Sequence, residues 1–154
     1  EITLNVSQNQ INVVGSVFSF TSKLIEGNYP DYEKVFPVGD ESKLIVDKNE
    51  FNTALSRASV LSNEKYRGIR LSLNKDLLKI EANNPEKESA EEEIKVDYSG
   101  PELEIGFNIS YLQESLTTIK DLSAEIVFFG QESSCIVKNK ENEDLIHVIM
   151  PMRL

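Results

Sequence analysis

One cysteine, Cys135, and one histidine, His147, are all that 154 residues offer for thiol or imidazole chemistry. A lone cysteine forms no internal disulfide, which makes the cytosol the default compartment. Without a second Cys or His at ligand spacing there is no zinc pattern. Cys135 lies in a strand-like run and reads as a small buried hydrophobe, not a nucleophile. His147, inside the last strand pattern, reads as a surface or half-buried strand residue. Long apolar runs are missing too: none approaches the ~18 residues of a membrane span, and no signal or transit peptide is visible. The glycines at 15, 27, 68, 100, 106 and 130 form neither a Walker loop nor a dinucleotide fingerprint. Positive charge is in deficit. The net charge of −10 argues against simple coating of nucleic acid.

A hydrophobic content of 40% and a charged content of 27% suit a soluble globular chain of one domain, or one domain plus a piece of another. The chain begins at Glu1 in an alternating pattern (Ile2, Leu4, Val6), as if cut in mid-sheet, and reads as a fragment. It ends on Val148-Ile149-Met150-Pro151-Met152-Arg153-Leu154, an apolar run where a frayed polar end is usual. Pro151 cannot donate a ladder hydrogen bond. A strand is therefore expected to stop about Ile149, leaving two adaptable methionines on the surface. Charge is uneven. Glu86, Glu88, Glu91, Glu92, Glu93, Asp97, Glu102 and Glu104 form an acidic block. Lys43, Lys48, Arg57, Lys65, Arg67 and Arg70 give a locally basic stretch.

Residues 1–27 read as two strands, 2–6 and 11–20, around a turn at Ser7-Gln8-Asn9-Gln10. Tyr29-Pro30-Asp31-Tyr32 and Pro37 mark a boundary within 30–42, dividing the chain into 1–30 and 31–154. After it come a strand at 42–46 and a helix at 48–61. Asp47 caps that helix, with Glu50 at capping-box spacing. Phe51, Ala54, Leu55 and Ala58 form its buried stripe. Strands follow at 68–73, 77–83, 92–98 and 102–107, with hairpin-type turns at 74–76 and 99–101. A second helix from Ile109 to about Ile119 is capped by Asn108 and buries Leu112 and Leu116. Strands at 124–130, 133–138 and 145–150 close the chain. The pattern predicts an α+β fold, an antiparallel sheet with two helices packed on one face.

Glu91-Glu92-Glu93 alternates across a strand, so its side chains cannot easily share one cation. Catalysis is the weaker expectation. Its form here is a small acidic hydrolase using carboxylate chemistry, which needs paired carboxylates with separated pKa values. Binding is the stronger one. An acidic edge strand over 86–96 resists casual pairing yet suits a basic partner edge. The outer side of helix 48–61 is polar and basic enough for phosphate contact, and the tail is apolar.

Several blocks resemble the bacterial DNA polymerase III β subunit family, the replicative sliding clamps, in that family's order and spacing. They are Asn28-Tyr29-Pro30-Asp31-Tyr32, Leu61-Ser62-Asn63-Glu64-Lys65-Tyr66-Arg67-Gly68-Ile69-Arg70-Leu71, Ala82-Asn83-Asn84-Pro85-Glu86, Tyr98-Ser99-Gly100, Ile105-Gly106-Phe107-Asn108 and Met150-Pro151-Met152-Arg153-Leu154. The resemblance covers the C-terminal part of the family. It implies that 1–30 is the end of the middle clamp domain and 31–154 the third domain, part of a six-domain ring in the full-length head-to-tail dimer.

The implied function is a non-catalytic processivity factor, cytoplasmic and without a cofactor. It encircles duplex DNA without reading sequence. It tethers the polymerase III α subunit, the clamp loader, and other polymerases and repair proteins through a peptide cleft, with no membrane partner. The resemblance places the cleft at Pro30, Lys34, Val35, Tyr66, Ser134, Val148, Met150, Pro151, Met152, Arg153 and Leu154. Lys34 and Tyr66 stand where Arg and Phe are common. The dimer interface is expected at Val60, Leu61, Glu86, Glu88, Glu91 and Glu92. The DNA-facing candidates are Lys48, Asn52, Arg57 and Lys120.

Overall fold

Alternation of apolar and polar residues dominates the chain, and strands dominate the structure. The computed structural model describes residues 1–29, 31–140 and 145–153. The chain separates into two units, Glu1–Asp31 and Tyr32–Leu154.

The first unit is an antiparallel meander of β1 (Thr3–Val6), β2 (Gln10–Val14) and β3 (Ser19–Lys23). The turn at Ser7 to Gln10 closes with a 2.9 Å bond from Ser7 N to Gln10 O. The single strand expected over 11–20 is two strands. The chain reverses at Gly15, whose N–H donates to Phe18 O at 2.9 Å. The Phe18 ring packs against Gly15, where an added Cβ would make the half-exposed ring shift. A dense β-branched and aromatic composition concealed the turn.

The second unit holds β4 (Ser42–Asp47), α1 (Lys48–Ser59), β5 (Gly68–Asn74), β6 (Leu77–Asn83), β7 (Ser89–Lys95), β8 (Asp97–Tyr98) and β9 (Leu103–Asn108). The chain continues through α2 (Ile109–Thr118), β10 (Ser123–Phe128), β11 (Cys135–Asn139) and β12 (Ile146–Ile149). Its strands divide over two antiparallel sheets, ordered β12-β11-β10-β4-β8 and β7-β6-β5-β9.

The order contains a duplication that the sequence does not display. β4-α1-β5-β6-β7 and β9-α2-β10-β11-β12 are each a strand, a helix and a three-stranded meander. The halves exchange first strands: β4 pairs with β10, and β9 with β5. Matching bonds lock the exchange. Lys48 N donates to Leu122 O, and Ile109 N to Arg67 O, each at 2.9 Å.

Both helices begin as their caps predict. Asp47 Oδ1 accepts from Glu50 N, and Asn108 Oδ1 from Ser110 N. Helix α1 ends at Ser59, short of 61, because Leu61 N and Ser62 N bond three residues back and tighten the last turn. The predicted stripe of Phe51, Ala54, Leu55 and Ala58 is fully buried. It joins Leu71, Ile80, Phe107, Leu112, Leu116 and Ile126 in one core. Each fully buried Leu, Ile or Phe contributes about 1.5–3 kcal/mol by leaving water.

Two strand expectations change. The run 92–98 is β7 and β8, which belong to different sheets. Between them Val96 N bonds Asp76 O at 3.2 Å and turns the chain across. For the same reason 99–101 is no hairpin turn: it joins β8 on one sheet to β9 on the other. Five strands therefore lie between the helices, where four were expected.

Candidate functional site

The tail is built by a change of sheet. Strand β12 pairs with β11 in the register Ile136↔Val148 and Cys135↔Ile149. Cys135, Val137 and Ile149 face the core. By alternation Ser134, Ile136, Val148 and Met150 share the opposite face, where Met150 is 63% exposed. Pro151 ends the ladder. The chain then crosses to the other sheet, where Met152 N donates to Gly106 O on β9 at 2.9 Å. The tail thus links the edge of one sheet to the edge of the other, as β8 does in the first half.

Tyr66 is displayed by a built turn. Asn63 Oδ1 accepts the N–H groups of Lys65 and Tyr66, both at 3.0 Å. Asn63 O accepts from Arg67 N at 2.7 Å, and Asn108 Nδ2 donates to Tyr66 O at 3.2 Å. Arg67 is held at φ 47°, a conformation a side chain adopts at some cost. The ring projects outward, 55% exposed, with Lys65 Nζ 5.2 Å from its centre. Beside it lies a cleft of about 400 Å³ lined by Asn63, Tyr66, Gly68, Arg70, Met152 and Arg153, among others. Arg153 reaches past the cleft to Glu132, 3.4 Å away.

Of the residues expected in the peptide cleft, Tyr66, Met152 and Arg153 therefore meet in one concavity. Ser134, Val148 and Met150 share the outward face of the β11–β12 pair, and Pro151 joins the two groups. Lys34 and Val35 sit in a short 3₁₀ turn, Tyr32–Val35, where Val35 is half-buried; neither lines that cleft. Pro30 and Leu154 lie outside the described residues. Sequence reading missed Asn63 and Asn108, which hold the Tyr66 turn. Asn63 carried a signal, an Asx-turn residue just past a helix end. Asn108 was read as a cap alone.

The acidic strand β7 is an edge, the outermost of its sheet. Val60, 77% exposed, shares a groove of about 490 Å³ with Glu86 and Glu88 at the β6–β7 turn. Leu61 is half-buried beside it. Glu91 and Glu92 point to opposite faces. Glu91 pairs with Lys79 at 2.9 Å, and Glu92 takes both hydrogen bonds of the Arg57 fork at 2.7 and 2.6 Å. Those hydrogen bonds, more than the guanidinium's charge, hold the Glu92 carboxyl below its ordinary range.

The helices lie side by side, with Gln113 Nε2 donating to Ser56 Oγ at 3.0 Å and to Asn52 Oδ1 at 3.4 Å. Three members of the locally basic stretch have acidic partners. Lys43 pairs with Glu41, Arg57 with Glu92, and Arg70 with Glu104. Among the DNA-facing candidates, Lys48 donates to Ile119 O at 2.8 Å and caps the C-terminal end of α2. Arg57 is held by Glu92. Lys120 is exposed.

Among the described residues no three His, Cys, Asp or Glu side chains gather as a metal site. Cys135 is fully buried, and burial pushes its thiol up to about 12. No helix among the described residues is long and apolar enough to cross a membrane. The described residues thus combine an α+β frame with an acidic edge strand, a displayed aromatic and a partly exposed apolar tail.

A family profile described as the C-terminal domain of the DNA polymerase III beta subunit matches residues 33–153. The beta sliding clamp of Pseudomonas aeruginosa is 47% identical over 154 residues, which is 100% of this chain and 42% of that protein. The beta sliding clamp of Escherichia coli K12 is 40% identical over 153 residues, 99% of this chain and 42% of that one. Among solved structures, the P. aeruginosa DNA polymerase III subunit beta superposes with a TM-score of 0.92 at 46% identity, covering 99% of this chain and 42% of that one. Caulobacter crescentus pol III beta gives 0.91 at 32%, covering 99% and 41%. The chain belongs to the DNA polymerase III β subunit family, the beta sliding clamps. It spans 42% of the length of the curated relatives it matches.

Proposed function

We propose that this chain is the C-terminal part of a sliding clamp, a non-catalytic processivity factor that works in the cytoplasm without a cofactor. Residues 1–30 are the end of a middle domain and 31–154 a third domain. In the full-length head-to-tail dimer six such domains close around duplex DNA. The observation that carries this reading is 47% identity to a beta sliding clamp across the whole chain.

The partner site is the outward face of β11–β12 together with the tail and Tyr66. It takes clamp-binding peptides of the polymerase III α subunit, the clamp loader, and other polymerases and repair proteins. A tethered polymerase that lets go of its template rebinds before it diffuses away, because tethering raises its effective concentration. The edge of β7, with Val60, Glu86 and Glu88, is the surface offered to the next subunit. Encircled DNA faces α1 and α2. Since Lys48 and Arg57 already have partners, contact there is weak and diffuse, which suits sliding.

The test is fluorescence polarisation of a labelled Gln-Leu-any-Leu-Phe peptide with this chain, and with a version extended through the middle domain. A variant of each ending at Ile149 is the control. Saturable binding that falls about tenfold or more without the tail supports the reading. No binding by either version overturns the partner-site assignment.

A further inference from the structure

The C-terminal end of α2 is held by three contacts from three elements. Lys48 Nζ donates to the Ile119 carbonyl, Asn139 Oδ1 on β11 accepts from Lys120 N–H at 3.0 Å, and Thr118 Oγ1 lies 2.6 Å from His147 Nε2 on β12. The last contact has a definite polarity. Thr118 Oγ1 also lies 2.7 Å from Ser115 O, a carbonyl that can only accept. A hydroxyl has one proton, and that proton goes to Ser115 O. The second short contact therefore takes its proton from the imidazole, so His147 carries hydrogen on Nε2.

Among the described residues, strand β12 is the outermost of its sheet and pairs with β11. His147 lies one residue from Val148, on the alternate face. A tether at 147 therefore sets the depth and rotation of the 148 and 150 positions relative to α2. We infer that His147, donating from Nε2 to Thr118, is a positioning residue for the partner-binding face of β12. This rests on the partner-site reading above. The contact needs a proton on Nε2, as the neutral Nε2–H tautomer carries.

Two measurements test it. Ring ¹⁵N correlation spectra of this chain, with neutral His147, are expected to show Nε2 protonated and Nδ1 bare; the opposite tautomer overturns the inference whatever any variant does. In the version extended through the middle domain, Thr118→Val removes the acceptor at nearly constant volume, and Thr118→Ser keeps it. The labelled peptide is expected to bind Thr118→Val about three- to tenfold more weakly and Thr118→Ser within about twofold of the parent. Unchanged affinity in a folded Thr118→Val overturns the positioning role. If the parent binds no peptide at all, the partner-site reading fails and the positioning role with it. The tautomer is still decided by the spectrum.

Discussion

Asn108 serves two elements with one amide: its Oδ1 caps α2 at Ser110 N, and its Nδ2 donates to the Tyr66 carbonyl at 3.2 Å. The helix start and the displayed aromatic are thus fastened by one side chain. Asn108→Ala should cost about 1 kcal/mol from the lost cap, read as a lower urea midpoint. Asn108→Asp keeps the capping oxygen but sets a carboxylate oxygen against the Tyr66 carbonyl. It should leave α2 intact and speed amide exchange at Lys65 and Tyr66. Equal exchange in parent and Asp variant would separate the turn from Asn108.

Glu92 and Arg57 set an acid-side dependence of stability. The carboxylate accepts the guanidinium fork, so its pKa in the fold lies below the 4.5 of an unfolded glutamate. The contribution is complete above that value and fades as pH falls through the lower folded one. Both groups are solvent-accessible, so salt weakens the effect. Denaturation midpoints from pH 7 to 3 should fall more steeply for the parent than for Glu92→Gln. Parallel curves would assign the acid loss to other carboxylates.

Cys135 is silent at neutral pH. With its thiol pushed up to about 12 and no exposed surface, almost no thiolate forms at pH 7. A disulfide reagent such as DTNB should react at the global unfolding rate, and in full once urea unfolds the chain. Prompt labelling of folded protein would place the thiol at the surface.

Gly100 is required by the tyrosine that crosses between sheets. Tyr98 is fully buried on β8, and its Oη donates to Pro101 O at 2.6 Å. A Cβ at residue 100 would lie 2.6 Å from Tyr98 Oη and 2.7 Å from Tyr98 Cζ. Gly100→Ala should destabilise by about 1–3 kcal/mol through forced repacking. Adding Tyr98→Phe removes one of the two clashing atoms, so the double variant should lose less than the sum of the singles. Strict additivity would mean that the ring moves freely.

Local rules made much of this protein legible. Asp47 and Asn108 announced both helix starts because caps act within three residues. The stripe of Phe51, Ala54, Leu55 and Ala58 announced its buried face because helical period and burial coincide. Pro151 announced the end of the last strand because it lacks a donor. The family was readable as well, through blocks such as Tyr66-Arg67-Gly68 and the tail.

Pairing between distant residues was not legible. That 92–98 divides between two sheets depends on Asp76 capturing Val96 N, twenty residues away. That the halves exchange their first strands depends on where α1 and α2 deliver the chain. The charges tell the same story: nothing local in the sequence says that Lys48 meets the Ile119 carbonyl or that Arg57 meets Glu92. The sequence by itself determined the two helix starts, their caps and the end of the last strand, because those follow from a few neighbouring residues. Only the tertiary structure decided which edges meet and which charges are spent, because a hydrogen bond or an ion pair depends on distance in space, not along the chain.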